Sequence, residues 1–134
     1  MITCFNQPYA SICWNENLKI VELTWKGFVT SEEYRQTQDQ ALVIISEKKA
    51  TLMLMDARDI KVIMPEDQAW AVEVWAPKLA LTGAKKFATV TPQSAVARMN
   101  ASSMERGSAA FQAAAPYEYR SFGTTAEAQN WLAN

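Results

Sequence analysis

The segment 52–91 constrains the fold of this chain more than any other part of the sequence. It opens with the apolar run Leu52-Met-Leu-Met55, which is followed by charged residues. A stretch of helical composition begins at Pro65, and a second apolar run closes the segment at residues 87–91. A strand, a helix and a second strand in this order form a βαβ crossover, which joins parallel strands and covers the sheet with a helix. The segment therefore predicts an α/β fold.

Strand patterns gather near the N-terminus. Short apolar-rich runs at residues 2–6 and 9–14 flank Pro8, and the alternating run 18–25 follows the turn sequence Asn15-Glu16-Asn17. Two such runs joined by a short polar turn predict a β-hairpin. The alternation places one set of apolar side chains on a single face of the second strand. That set comprises Val21, Leu23 and Trp25.

Helix signals alternate with strand signals through the rest of the chain. Capping boxes at residues 30–33 and 124–127 predict two helix starts, the first helix running to about Lys49. The helix that starts at Pro65 should be kinked or interrupted near residues 73–76, because Pro77 cannot donate a backbone hydrogen bond. We also expect a third helix over residues 93–115 and a last strand over residues 117–122. Together these predict one domain, residues 1–134, with a mixed sheet that begins with a hairpin and continues with alternating α and β elements.

Composition excludes several classes of function. The 134 residues include no histidine, which removes the commonest general base and metal ligand. Cys4 and Cys13 match no zinc or CxxC spacing, so we expect free thiols and no metal or cofactor. A formal charge of −1 gives no general attraction to nucleic acid. The sequence shows neither a membrane span nor a signal peptide, so we expect a cytoplasmic protein.

The order of elements and several short signatures resemble the STAS superfamily, in the branch similar to anti-sigma-factor antagonists and to CRAL-TRIO lipid-transfer domains. The resemblance covers about residues 18–133. It implies a STAS-like fold and a non-catalytic regulatory module that binds a protein partner. The residues that carry it are Trp25-Lys-Gly27, Ser31-Glu-Glu-Tyr34, Leu54-Met-Asp-Ala-Arg58, Lys86-Phe-Ala-Thr-Val90, Arg120-Ser-Phe122, Glu127-Ala128 and Trp131-Leu132.

One feature of those antagonists is missing from this sequence. Their phosphorylated serine lies at the start of the helix after the central strand, and the corresponding stretch, residues 56–68, contains no Ser, Thr or Tyr. The phosphorylation switch is therefore not carried over. Glu66 and Asp67 place negative charge in this stretch, either as a partial imitation of a phosphate or, more simply, as acids that stabilise the helix N-terminus.

Three charged residues form the first candidate site. Asp56, Arg58 and Asp59 are expected in a loop after a parallel strand, where open α/β sheets bind their ligands. Arg58 could hold a carboxylate or phosphate through two hydrogen bonds. The alternative is a structural ion pair between neighbouring loop residues. Catalysis with Asp56 or Asp59 as the base is a weaker alternative, since no nucleophile accompanies them. We therefore expect no enzyme.

Apolar residues on the following segment form the second candidate site, which comprises Ile63, Met64, Trp70 and Trp75. In a regular α-helix the two tryptophans point about 140° apart, so one core-facing stripe should not hold both. Core packing explains either tryptophan alone, whereas the pair predicts that at least one lies at an interface. The apolar surface of the 65–81 helix and the small-residue region 93–115 predict a homodimer. Besides a regulatory protein partner, the alternative is a small apolar or amphiphilic, lipid-like ligand at residues 56–81.

Overall fold

Six strands of the part of the chain that the structure describes form a single sheet. The computed structural model describes residues 2–60, 63–90 and 117–134. The strands lie side by side in chain order, β1 to β6. Strand β2 is antiparallel to both of its neighbours, β1 and β3, and β3, β4, β5 and β6 are parallel to one another. Their bounds are β1 Ile2–Gln7, β2 Ala10–Asn15, β3 Ile20–Gly27, β4 Leu52–Ile60, β5 Lys86–Val90 and β6 Glu118–Phe122.

Helices follow the parallel strands β3, β4 and β6, as the sequence predicts. Helix α1, Ser31–Lys48, connects β3 to β4, and a helical segment over residues 65–80 connects β4 to β5. Helix α4, Thr125–Ala133, ends the chain. The predicted hairpin, the βαβ crossover and the mixed sheet are thus confirmed. The helix predicted over residues 93–115 lies outside the described residues.

The ends of α1 have the chemistry that the sequence predicts. The Thr30 side chain accepts a hydrogen bond from the Glu33 amide, and the Glu33 side chain accepts one from the Thr30 amide. This reciprocal capping box satisfies two helix N–H groups that would otherwise lack a partner. Lys49 ends the helix in the left-handed conformation, with φ of 53°. The predicted first helix is therefore confirmed at both ends.

The segment 65–80 is helical throughout but changes its winding in the middle. It consists of α2, Pro65–Trp70, a π-helical turn, Ala71–Trp75, and α3, Ala76–Ala80. The Ala76 amide donates to the carbonyl of Ala71, five residues earlier. Proline lacks an amide hydrogen, and its ring clashes with the carbonyl four residues before it in a regular helix. The widened turn directly before Pro77 is the predicted interruption.

Two apolar clusters lie on opposite faces of the sheet. The larger one packs α1 and the segment 65–80 against the face that carries Val21, Leu23 and Trp25, which confirms the predicted alternation of β3. The smaller one packs α4 against the other face and contains Ile20, Leu54, Ala88, Val90, Ala128 and Leu132. Among the described residues, different helices cover the two faces, and the alternation of side chains along a strand decides which cluster each residue joins.

Strand β4 is longer than the sequence indicates. Asp56, Arg58 and Asp59 lie within it, so their expected position in a loop is wrong. Asp56 lies opposite Val90, the last described residue of β5, and the ladder with β3 continues to Ile60. Pairing with β3 therefore carries the strand past Met55, where the apolar run stops.

Candidate functional site

Asp56 and Arg58 form a closed ion pair within one strand. The Arg58 amide and its Nε both donate to Asp56 Oδ1, at 3.1 and 3.0 Å, and Nη2 donates to Oδ2 at 2.8 Å. Asp56 is buried, and its hydrogen bond is the main reason that the pKa of Arg58 is raised. The carboxylate already occupies one two-nitrogen edge of the guanidinium. This geometry favours the structural ion pair over an open site for an external anion.

The charged and apolar candidates do not converge on one site. Asp56 alternates with Met55 and Ala57, which belong to the larger cluster, so its side chain faces the opposite side of the sheet. Ile63 and Trp75 are buried in that larger cluster. Asp59 is exposed beside Lys26 on the neighbouring strand. A single ligand that contacts Asp56 and Trp75 together would have to cross the sheet.

The two tryptophans of segment 65–80 pack on the same cluster, so the expectation that one core-facing stripe cannot hold both is wrong. Trp75 is 2% exposed, and its Nε1 donates to the Gln38 carbonyl at 2.8 Å. Trp70 is half-buried and contacts Tyr34 edge-on at 6.3 Å between ring centroids. The π-helical turn between the two residues makes five residues advance about one full turn, which aligns both side chains with the core.

A polar junction joins the beginnings of α1 and α2. Ser31 Oγ donates to Asp67 Oδ2 at 2.7 Å, and Arg35 Nε donates to Asp67 Oδ1 at 3.0 Å. The Arg35 guanidinium also lies 5.4 Å from the centre of the Trp70 ring. Asp67 is only 3% exposed, so a buried carboxylate holds the two helix starts together. We call Ser31, Arg35 and Asp67 the helix junction.

The sequence indicates a role for Asp67 but none for Ser31 and Arg35 in this junction. Asp67 is predicted to be an acid at a helix N-terminus, and it lies in the first turn of α2. Ser31 and Arg35 are four residues apart and therefore share a face of α1. That spacing was the available signal, but nothing in the sequence indicates that this face meets α2, since the two helices are separated by the whole of β4.

Two large apolar side chains are exposed beside the helix junction. Phe28 is 78% exposed and Met64 is 48% exposed. They follow β3 and β4, whose parallel ends lie at the same edge of the sheet. Phe28 lies three residues before Ser31, and Met64 lies three residues before Asp67, the two residues that are joined by a hydrogen bond. We call Phe28 and Met64 the carboxyl-edge surface. It unites Met64, a predicted candidate, with Phe28, which the sequence did not indicate.

Two kinds of feature, a metal site and a membrane-spanning helix, are absent from the described residues. No group of three or more cysteine, aspartate or glutamate side chains comes together in residues 2–60, 63–90 and 117–134 in a way that could hold a metal ion. Within the same ranges, no helix has the length and apolar character needed to cross a bilayer. The carboxyl edge presents apolar surface to solvent at Phe28 and Met64.

Comparison with known proteins identifies a fold and a family. The family model described as SpoIIAA-like matches residues 20–133. Among solved structures, the chain is similar to an uncharacterised protein of the DUF3478 family, with a SpoIIAA-like fold, from Shewanella loihica PV-4. The two share 18% sequence identity and superpose with a TM-score of 0.56 over 95% of this chain and 96% of that one. No curated protein matches the sequence.

Proposed function

Because this chain belongs to the SpoIIAA-like family, we propose that it is a non-catalytic regulatory module that acts by binding another protein through its carboxyl-edge surface. The observation that carries the proposal is the exposure of Phe28 and Met64 at one edge of the sheet. Burying a fully exposed side chain of this size gains roughly 1.5–3 kcal/mol, so covering Phe28 gains most of that amount and covering the half-buried Met64 about half of it. Methionine and aromatic residues are also enriched at protein interfaces.

The helix junction supports this role because it fixes the residues that flank the surface. Ser31 and Asp67 are joined at 2.7 Å, and the Thr30 capping box sets the direction in which the chain enters α1. The carbonyl of Met64 accepts hydrogen bonds from the amides of Asp67 and Gln68, which anchors the chain at the other side. A surface held in this way loses little conformational entropy when a partner binds.

Control of binding would differ from the phosphorylation switch of the anti-sigma-factor antagonists. The stretch 56–68 contains no hydroxyl side chain that could accept a phosphate. Two acids, Glu66 and the buried Asp67, lie in the first turn of α2. We therefore propose that the carboxyl edge has a fixed charge and binds its partner without modification of this stretch.

The test is quantitative affinity capture from lysate of the source organism. The immobilised wild type is compared with the variant Phe28→Ser/Met64→Ser and with a matched control, Val43→Ser/Val74→Ser. The control residues are also exposed apolar side chains, 47% and 39% exposed, but lie on helices away from this edge. We expect a protein that the wild type and the control retain and that the edge variant loses.

Binding to a purified candidate then provides the decisive measurement. Titration calorimetry should give a dissociation constant that rises at least tenfold in Phe28→Ser/Met64→Ser and changes less than threefold in the control. If every protein retained by the wild type is retained equally by the edge variant, the carboxyl edge is not the binding surface and the proposal fails.

A further inference from the structure

Strand β1 is an edge strand of the described sheet and carries no charged side chain. It pairs with β2 on one side, and no described strand lies on its other side. The backbone amides and carbonyls along that open side can pair with a further strand. Natural proteins usually block such an edge with charged side chains or proline. Here residues 1–15 contain no Asp, Glu, Lys or Arg, and Pro8 lies in the turn after β1, so the edge is open to strand addition.

The regular part of β1 lies near its end. The register with β2 shifts before Phe5, whereas residues 5–7 pair in regular order with residues 10–12. Phe5 and Gln7 lie opposite Ile12 and Ala10, which belong to the larger apolar cluster, so their side chains point to the side of the sheet that α1 covers. A strand added beside β1 would direct every second side chain to that same side.

A groove lies between this part of the hairpin and α1. The hairpin contributes Phe5, Gln7 and Tyr9 to it, and α1 contributes Asp39 and Val43. Its volume of about 410 Å³ is within the range of ligand-binding clefts, roughly 300–1,000 Å³. Gln7, Asp39 and Val43 are exposed, so the groove is accessible from solvent. A sheet edge beside a groove is an arrangement that binds extended peptides, because backbone pairing gives affinity and the groove selects alternate side chains.

The chemistry of the groove favours a segment with apolar and basic side chains. Val43 is 47% exposed, so contact with an apolar side chain would remove it from water. Asp39 is the one charged side chain among the described residues that line the groove, and it forms no ion pair with any of residues 2–60, 63–90 and 117–134. Gln36 and Gln40, which also line the groove, can donate and accept hydrogen bonds. A Lys or Arg opposite Asp39 complements its charge, whereas an acidic segment is repelled.

We propose that β1 and the groove beside it dock an extended segment of another protein, which adds to β1 as a strand and carries apolar and basic side chains. The segment pairs with the outer backbone groups of residues 5–7. One of its apolar side chains lies against Phe5 and Val43, and a basic side chain lies against Asp39. The site shares no residue with the carboxyl-edge surface, so this inference does not depend on partner binding there.

The test begins with a library of random nine-residue peptides displayed on phage, selected on the immobilised full-length protein. The selected peptides are synthesised and titrated in solution by fluorescence anisotropy. We expect saturable binding by peptides that have apolar residues at alternate positions and at least one Lys or Arg. If no peptide is enriched over a surface without protein, or if the enriched peptides lack this pattern, the proposal is overturned.

Two pairs of matched variants locate the binding. Asp39→Lys and Glu47→Lys make the same charge change at exposed positions of α1, and Val43→Ser and Val74→Ser shorten the same exposed side chain. In each pair only the first residue lines the groove. Because all four side chains are exposed, we expect the variants to fold, which circular dichroism checks. The dissociation constant of the selected peptide should rise at least tenfold in Asp39→Lys, at least fivefold in Val43→Ser and less than twofold in the controls. Equal effects within both pairs would overturn the proposal.

Backbone amide exchange distinguishes strand addition from binding to the helix wall alone. In the complex, the amides of residues 5–7 that do not donate to β2 should exchange at least tenfold more slowly than in the free protein. Unchanged exchange of these amides would overturn strand addition. Protection of the same amides without peptide, in protein that sediments as a dimer, would also overturn the proposal, in favour of a second copy of the chain on β1.

Discussion

Replacing Asp67 by alanine tests whether the helix junction contributes to stability. The substitution removes the carboxylate to which both Ser31 Oγ and Arg35 Nε donate. Hydrogen bonds to a charged acceptor contribute about 1.5–3 kcal/mol when both partners are buried. Here the donors can regain water, because Ser31 is exposed and the Arg35 side chain is 42% exposed. We therefore assign about 1 kcal/mol to each bond.

Two further contributions to the free energy of unfolding come from the same carboxylate. Asp67 lies in the first turn of α2, where a negative charge gains about 0.3–1 kcal/mol from the helix dipole. In the opposite direction, removing a buried charge also removes the cost of taking it out of water. The two terms partly cancel, so we expect Asp67→Ala to lower the free energy of unfolding by about 2–3 kcal/mol. That is a large part of the 5–15 kcal/mol typical of a folded domain.

The measurement is urea unfolding followed by tryptophan fluorescence, with Glu66→Ala as the matched control. Glu66 is the neighbouring acid in the same helix turn but is exposed, so its loss should cost no more than about 1 kcal/mol. A double-mutant cycle of Asp67→Ala with Arg35→Ala should give a coupling energy of about 1 kcal/mol. Equal losses for Asp67→Ala and Glu66→Ala, together with no coupling to Arg35, would refute this account of the junction.

Three other predictions address the ion pair, the alkaline stability and the oligomeric state. Asp56→Asn should lower the free energy of unfolding by about 1–3 kcal/mol, whereas the exposed Asp59→Asn should change it by less than about 0.5 kcal/mol in the same urea assay; equal effects would contradict the ion-pair interpretation. Burial raises the pKa of Tyr117 from 10.0 to about 12, so the folded state holds this proton more tightly than the unfolded chain does. Its contribution is present below pH 10 and is lost as the pH rises towards 12, and unfolding curves at pH 9, 10 and 11 should show a smaller alkaline loss for Tyr117→Phe. Leu81 is 88% exposed at the end of the segment 65–80, and we expect Leu81→Ser to weaken a homodimer in sedimentation experiments; wild type that sediments as a monomer at high micromolar concentration would disprove the dimer.

The elements with strong local signals could be predicted from the sequence. The capping box at Thr30 is a contact between residues three apart, and it forms as the pattern indicates. The second box, at Thr124, forms in a different way. Thr124 Oγ1 accepts from the Glu127 amide as expected, but the Glu127 side chain accepts from the threonine hydroxyl. The sequence located this helix start but did not distinguish between the two donors available at the cap.

The candidate site was harder to predict because its members meet only through the sheet. Whether Asp56 and Arg58 lie in a loop or a strand depends on how far β3 extends beside them. The residues around Asp56 and Arg58 in the sequence do not indicate the length of that neighbouring strand. Lys86 illustrates the same limit. Nothing close to it in the sequence indicates a partner, yet its Nζ donates to the Trp131 carbonyl at 3.1 Å and lies 5.1 Å from the centre of that indole ring.

The sequence by itself determined the order of the strands and helices, the caps of α1, the interruption before Pro77 and the apolar alternation of β3, since each depends on residues within a few positions of one another. Only the tertiary structure decided that Ser31, Arg35 and Asp67 form one junction, that Phe28 and Met64 share one edge, and that a groove lies between β1 and α1. The first two arrangements follow from parallel strand pairing, which brings together segments some thirty or more residues apart through hydrogen bonds that any backbone can make, and the third follows from the packing of α1 on β3.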